Sequence, residues 1–162
     1  MAGAAPIEGY LNDHLAGAAA AVQLIDTIRS NNQGTPLADY LDDLRRWVEE
    51  DRETLVRVMD ALDASPSMPK QAGGKVVERL SRLRLNEHIT GSADVSRLME
   101  METLSVGIEG KRLLWAALVT VGTARPQLGA FDLEALIERA VAQRAGLEPF
   151  RLEAAARALT AS

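Results

Sequence analysis

Residues 48–58 read VEEDRETLVRV, and within that stretch Asp51 occupies a position that calls for chemistry. Alternating steps of three and four place Leu37, Leu41, Leu44, Val48, Asp51, Leu55, Val58 and Leu62 on one seam, so a carboxylate stands where helical spacing asks for an apolar side chain. Such a residue serves as a metal ligand, as half of an ion pair, or as a polar layer that fixes how helices pair. The ion-pair reading leads on energetic grounds. An unpaired buried carboxylate is costly, and Arg112, Arg144 and Arg151 are available as cationic partners at similar depth. Glu148 lies close to the centre of the same predicted stripe as Arg144 and Arg151, and Glu102 and Glu109, seven apart, share one shoulder of a further helix.

The remaining reactive types are sparse. His14 and His88 are the only histidines, and neither has a serine or cysteine nucleophile placed with it and a carboxylate, so no hydrolytic constellation forms. His14 reads as a satisfied core or interface histidine and His88 as a surface residue. Gly73-Gly74-Lys75 lacks the spacing and the preceding strand of a phosphate loop. Residues 75–85, KVVERLSRLRL, read as an amphipathic helix with a solvated basic face, and Trp47 and Trp115 as packing anchors.

The elements that must position these residues are helices. Apolar spacing predicts a first helix over 7–31, with Leu11, Leu15, Ala18, Val22 and Ile25 as its stripe. Thr35-Pro36 is a start signal for a second, running to about Asp63 and roughly 40 Å long. A short helix fits 76–85 in a long connection. A third helix spans about Ser92 to Gly122, with Met101, Leu104, Ile108, Trp115 and Leu118 on one side; Leu113, Leu114, Ala117 and Val119 spread round it, which predicts a second half buried on most sides. Gly107 and Gly110 suggest close backbone approach. Asp132 caps a fourth, whose stripe reads Leu133, Ile137, Ala140, Arg144, Leu147, Arg151, Ala155 and Ala158, and Pro149 predicts a kink or break within 145–150. The whole is an all-α four-helix bundle with one long crossover, a single domain over residues 1–162.

Composition narrows the classes. With 47% hydrophobic residues the 162-residue chain suits one folded core. Net charge is −5, from 18 Lys+Arg against 23 Asp+Glu, which argues against nucleic-acid or anionic-membrane partners. No cysteine is present, so disulfide, thiolate-metal and iron–sulfur chemistry are excluded. No basic leader precedes the first apolar stretch, and a cytoplasmic protein is expected.

A single-crossover bundle with carboxylates on inner faces resembles the ferritin-like superfamily. The stretches LMEMETLSVGIEGKRLLWAAL (98–118) and RAGLEPFRLEAAARAL (144–159) look most like a branch of it without an assigned activity. Metal-loaded members of that superfamily draw a Glu from each of two helices and Glu-x-x-His from each of the other two. Here the matching positions read Asp51-x-x-Thr54 and Glu148-x-x-Arg151, and a guanidinium offers a metal no lone pair. The resemblance therefore implies a bundle that has lost its metal site, carries no cofactor, and acts through binding or assembly, its charged layer fixing register or holding a small polar ligand. It also implies a homodimer, with Tyr40 and Trp47 flanking the second helix's seam. The alternatives are an iron- or manganese-binding oxidoreductase using Asp51, Glu102, Glu109, Glu148 and His14, and an apolar-ligand pocket permitted by Gly107, Gly110, Ala116 and Ala117.

Overall fold

The computed structural model describes residues 5–67 and 93–160, and the expected helix at 76–85 and His88 lie outside them. The described residues form four long helices, α1 (Ala5–Ser30), α2 (Pro36–Ala61), α3 (Ala93–Val121) and α4 (Leu133–Thr160), with a 3-10 turn at Pro126–Ala130 before the last. Among the described residues no helix is long and apolar enough to cross a membrane.

Local chemistry sets the helix ends. Thr35 caps α2 by accepting the Ala38 amide at 3.3 Å, with Pro36 in the first turn, and Gly34 takes the left-handed φ of 75° that the tight α1–α2 turn demands. Asp132 accepts the Ala135 amide at 3.0 Å and so caps α4. Buried Asn12 ties the chain leaving α2 back onto α1: its Nδ2 donates to the Ser65 carbonyl at 3.0 Å and its Oδ1 accepts the Ser67 amide at 2.6 Å.

The eight seam positions of α2, from Leu37 to Leu62, are all buried, as are the five named on α3. They divide between two apolar clusters that fix the topology. Leu37 and Leu41 share one cluster with Leu98 and Met101, whereas Leu55 and Leu62 share the other with Leu114 and Leu118. Hence α2 and α3 point the same way, and the chain between them joins opposite ends of the bundle. Neighbouring pairs are α1/α2, α3/α4, α1/α3 and α2/α4, which leaves α2 and α3 across a diagonal.

Three expectations need correction. Helix α4 continues through Pro149 without the break expected at 145–150. Pro149 and Ala145, whose carbonyl loses its donor, both lie on the exposed face, where water can replace the missing bond. The second half of α3 is not buried all round, since Leu113 and Val119 are exposed on its outer side. Finally, a Cβ built on Gly107 or Gly110 meets nothing within 4 Å, so neither glycine serves close backbone approach.

Candidate functional site

Asp51 is 2% exposed, and its carboxylate sits in the middle of the bundle. Its Oδ2 accepts Lys111 Nζ from α3 at 2.5 Å and Gln143 Nε2 from α4 at 3.4 Å, while Oδ1 accepts Arg139 Nη2 from α4. Lys111 Nζ also donates to Gln143 Oε1, and Arg139 Nη1 reaches out to Glu50 at 3.0 Å. Three helices are thereby joined by one carboxylate, and the Asp51–Lys111 pair crosses the bundle diagonal. Burial pushes the Lys111 amine below its ordinary pKa, with Arg139 adding to the effect and Asp51 opposing it.

The expected arginines do not take part. The buried stripe of α4 is Leu133, Leu136, Ala140, Gln143, Leu147 and Ala154, one step round from the stripe read in the sequence. That rotation carries Arg144 and Arg151 outside. Arg144 bonds Ser105 and Glu109, at 3.2 and 3.0 Å, and Arg112 bonds Glu109 at 2.7 Å. Arg151 pairs with Glu148 at 2.6 Å and with Glu102 at 3.6 Å. Hydrogen bonds from Arg112 and Arg151 hold the Glu109 and Glu148 carboxyls below their usual range. Asp51 is thus half of a buried ion pair with cations other than those expected, whereas Arg112, Glu109 and Arg144, and separately Glu102, Arg151 and Glu148, pair on the outer α3–α4 surface.

Lys111 was legible by the counting that exposed Asp51. Met101, Leu104, Ile108, Trp115 and Leu118 leave a gap of seven between Ile108 and Trp115, and Lys111 fills it. Weighting the larger side chains Leu133, Leu136, Leu147 and Phe150 on α4 would likewise have brought Gln143 inward.

The metal alternative loses its geometry. Asp51 is taken up by two cations and an amide, the Thr54 hydroxyl turns back to the Glu50 carbonyl at 3.0 Å, and Glu102, Glu109 and Glu148 face the outside. Among the described residues no three His, Cys, Asp or Glu side chains converge to hold an ion.

Beside the charged layer, α1, α2 and α3 line a partly open cavity of about 230 Å³, at which Gly17 and Gly107 are exposed. Gly17 and Ala21, Val48 and Leu55, Gly107 and Leu114 contribute to its largely apolar wall, which Asp51, Lys111 and His14 also join. Burial holds the His14 imidazole below its ordinary pKa against the pull of Asp13, which favours its neutral form. Gly17, Gly107 and Gly110 all stand on this wall inside helices, and none has a positive φ or a neighbour that a Cβ would strike.

Tyr40 and Trp47, expected at a dimer face, are used within the chain. Tyr40 packs edge-to-face with Trp47 and at a tilt to Phe150, with ring centroids 6.3 and 5.6 Å away, and donates to the Gln143 carbonyl at 2.5 Å. Its ring lies where a Cβ on Gly146 would be, 2.7 Å from the nearest atom.

No protein-family model, no curated protein and no solved structure matches the chain.

Proposed function

We propose that this protein is a ferritin-like bundle whose metal-binding layer has been replaced by a salt-bridged one, and that it works by holding a small, mainly apolar molecule in the cavity beside that layer. The parallel run of α2 and α3, with the long connection between them, supports the first part. The three wall glycines carry the second. Glycine within a helix costs up to about 1 kcal/mol relative to alanine. Packing around Gly17, Gly107 and Gly110 does not require its absence of a side chain. What the missing side chains leave is open volume on the cavity wall, open to solvent at Gly17 and Gly107. A bend of α4 at Pro149, without a break, belongs to the same reading.

The test is to fill the space. Gly110→Leu should raise thermal stability and abolish uptake of small apolar probes such as 1-heptanol, followed by ligand-observed NMR. Equal uptake by the parent and the filled variant would remove the cavity from the proposal.

Pairing of two copies is the assembly this reading favours, through the outer face of α3 and α4. Glu102, Val106, Glu109 and Leu113 form a stripe on α3 beside Val141, Ala145, Glu148 and Leu152 on α4, and Val106, Leu113, Val141 and Leu152 are exposed. Three glutamates and three arginines balance there in a chain of net charge −5, so a second copy meets the face without like-charge repulsion.

A further inference from the structure

We infer that the molecule held in the cavity is a small carboxylic acid, its hydrocarbon part against the apolar wall and its carboxylate on Lys111. This rests on the reading of the cavity as a ligand site and adds the chemical class of the ligand.

The argument begins with hydrogen-bond supply and demand. A lysine ammonium carries three donors. Asp51 Oδ2 and Gln143 Oε1 take two from Lys111, and no third acceptor is recorded among the described residues. Among the described residues the buried side-chain polar atoms without a partner are Nε of Arg52, Nε1 of Trp115 and Nε of Arg139, all donors, and each is sealed from the cavity as well as from solvent. Arg52 and Trp115 are residues of the cavity wall, and Arg139 stands behind Asp51. Asp13, the other carboxylate on the cavity wall, is exposed to solvent.

Charge then selects among acceptors. Asp51 is the buried anion of the layer, and it faces two cations, Lys111 and Arg139; Glu50, which shares Arg139, is about half exposed and screened by water. The buried layer thus sets one anion against two cations, and the exposed Asp13 on the same wall is screened by water as Glu50 is. An amine-bearing ligand would add to the cations, a neutral alcohol would leave the imbalance, and a carboxylate would offset it through a charge-assisted bond that is stronger than a neutral one. An ionised carboxylate is also acceptor-only, with two oxygens to offer. At the α1 wall burial lowers the His14 pKa against the pull of Asp13, which is exposed there.

Size sets the scale of the hydrocarbon. An apolar cavity of about 150 Å³ accommodates benzene, so the space here suits about nine non-hydrogen atoms. A short-chain or single-ring acid fills that space, and the rest of a longer chain would have to lie outside it.

The experiment compares three probes of matched size, hexanoate, 1-heptanol and heptylamine, on the full chain by ligand-observed NMR at constant ionic strength. Hexanoate is expected to bind about tenfold or more tightly than heptanol, with heptylamine weakest. Lys111→Met is expected to lose that preference while still taking up heptanol, which reports that the cavity persists. Heptanol binding as tight as hexanoate in the parent protein overturns the inference and leaves the ligand site standing. Failure of all three probes overturns both. The parent series decides the matter even if Lys111→Met does not fold, and a preference that survives in a folded Lys111→Met overturns the assignment to Lys111.

Discussion

Lys111 of α3 donates to Asp51 of α2 at 2.5 Å across the diagonal of the bundle, joining two helices that are not neighbours. A single buried carboxylate therefore pairs with cations from the two helices that follow the long connection.

Removing that carboxylate should be expensive. Asp51→Ala strands Lys111 and Arg139 and should cost about 3–5 kcal/mol in denaturant unfolding. Glu50→Ala, one position away and exposed, should cost about 0.5 kcal/mol. Asp51→Leu with Lys111→Met should recover much of the loss, because Arg139 keeps Glu50. Asp51→Leu with Arg144→Leu should recover nothing, and a rescue there would contradict the rotation of α4.

The same rotation predicts opposite behaviour for adjacent residues. Gln143→Ala removes an amide that serves both Asp51 and Lys111 and should lose about 1–3 kcal/mol. Arg144→Ala should change stability by about 0.5 kcal/mol or less, since its side chain is half exposed. Equal losses in thermal unfolding would sink this assignment.

Gly146 offers a change of sign. Alanine normally stabilises a helix relative to glycine, but here its Cβ would lie 2.7 Å from the Tyr40 ring, which Trp47 and Phe150 hold in place. Gly146→Ala should therefore destabilise by about 1–3 kcal/mol. In a Tyr40→Leu background the same substitution should instead stabilise by up to about 1 kcal/mol. A gain in both backgrounds would show that Tyr40 moves aside freely.

Tyr40 also sets an alkaline limit. Burial, with Asp43 nearby, pushes its phenol up to about 12 from an ordinary value of 10.0. The folded state therefore holds this proton more tightly than the unfolded state. Its contribution is complete below pH 10 and is lost as the pH rises from 10 toward 12. After allowance for partial exposure the loss is on the order of 1–2 kcal/mol. Tyr40→Phe should flatten that part of the stability–pH curve, and an unchanged slope would assign the loss elsewhere.

Self-association should depend on the outer α3–α4 face. Leu113→Glu combined with Leu152→Glu places two acids among the three glutamates already there and should convert a dimer to a monomer in sedimentation at high micromolar concentration. A parent protein that is monomeric under those conditions ends the pairing proposal.

The sequence by itself determined the four helices, the caps at Thr35 and Asp132, the whole seam of α2, and the need of Asp51 for cationic partners. Each of these is local: helical period and capping act within a few residues, and an isolated acid in an apolar seam states its own requirement. What only the tertiary structure decided was the rotation of α4. Leu133, Ala140 and Leu147 recur every seven residues and belong equally to a stripe through Leu136 and Gln143 and to one through Ile137 and Arg144. Period alone cannot separate the two. Contacts from other helices do, as Tyr40 of α2 closes on Gly146 and the Asp51 carboxylate draws in Arg139 and Gln143. The sequence permitted a pocket at Gly107 and Gly110 but did not place it, because these glycines and Gly17 border one space only once α1, α2 and α3 stand at their packed distances.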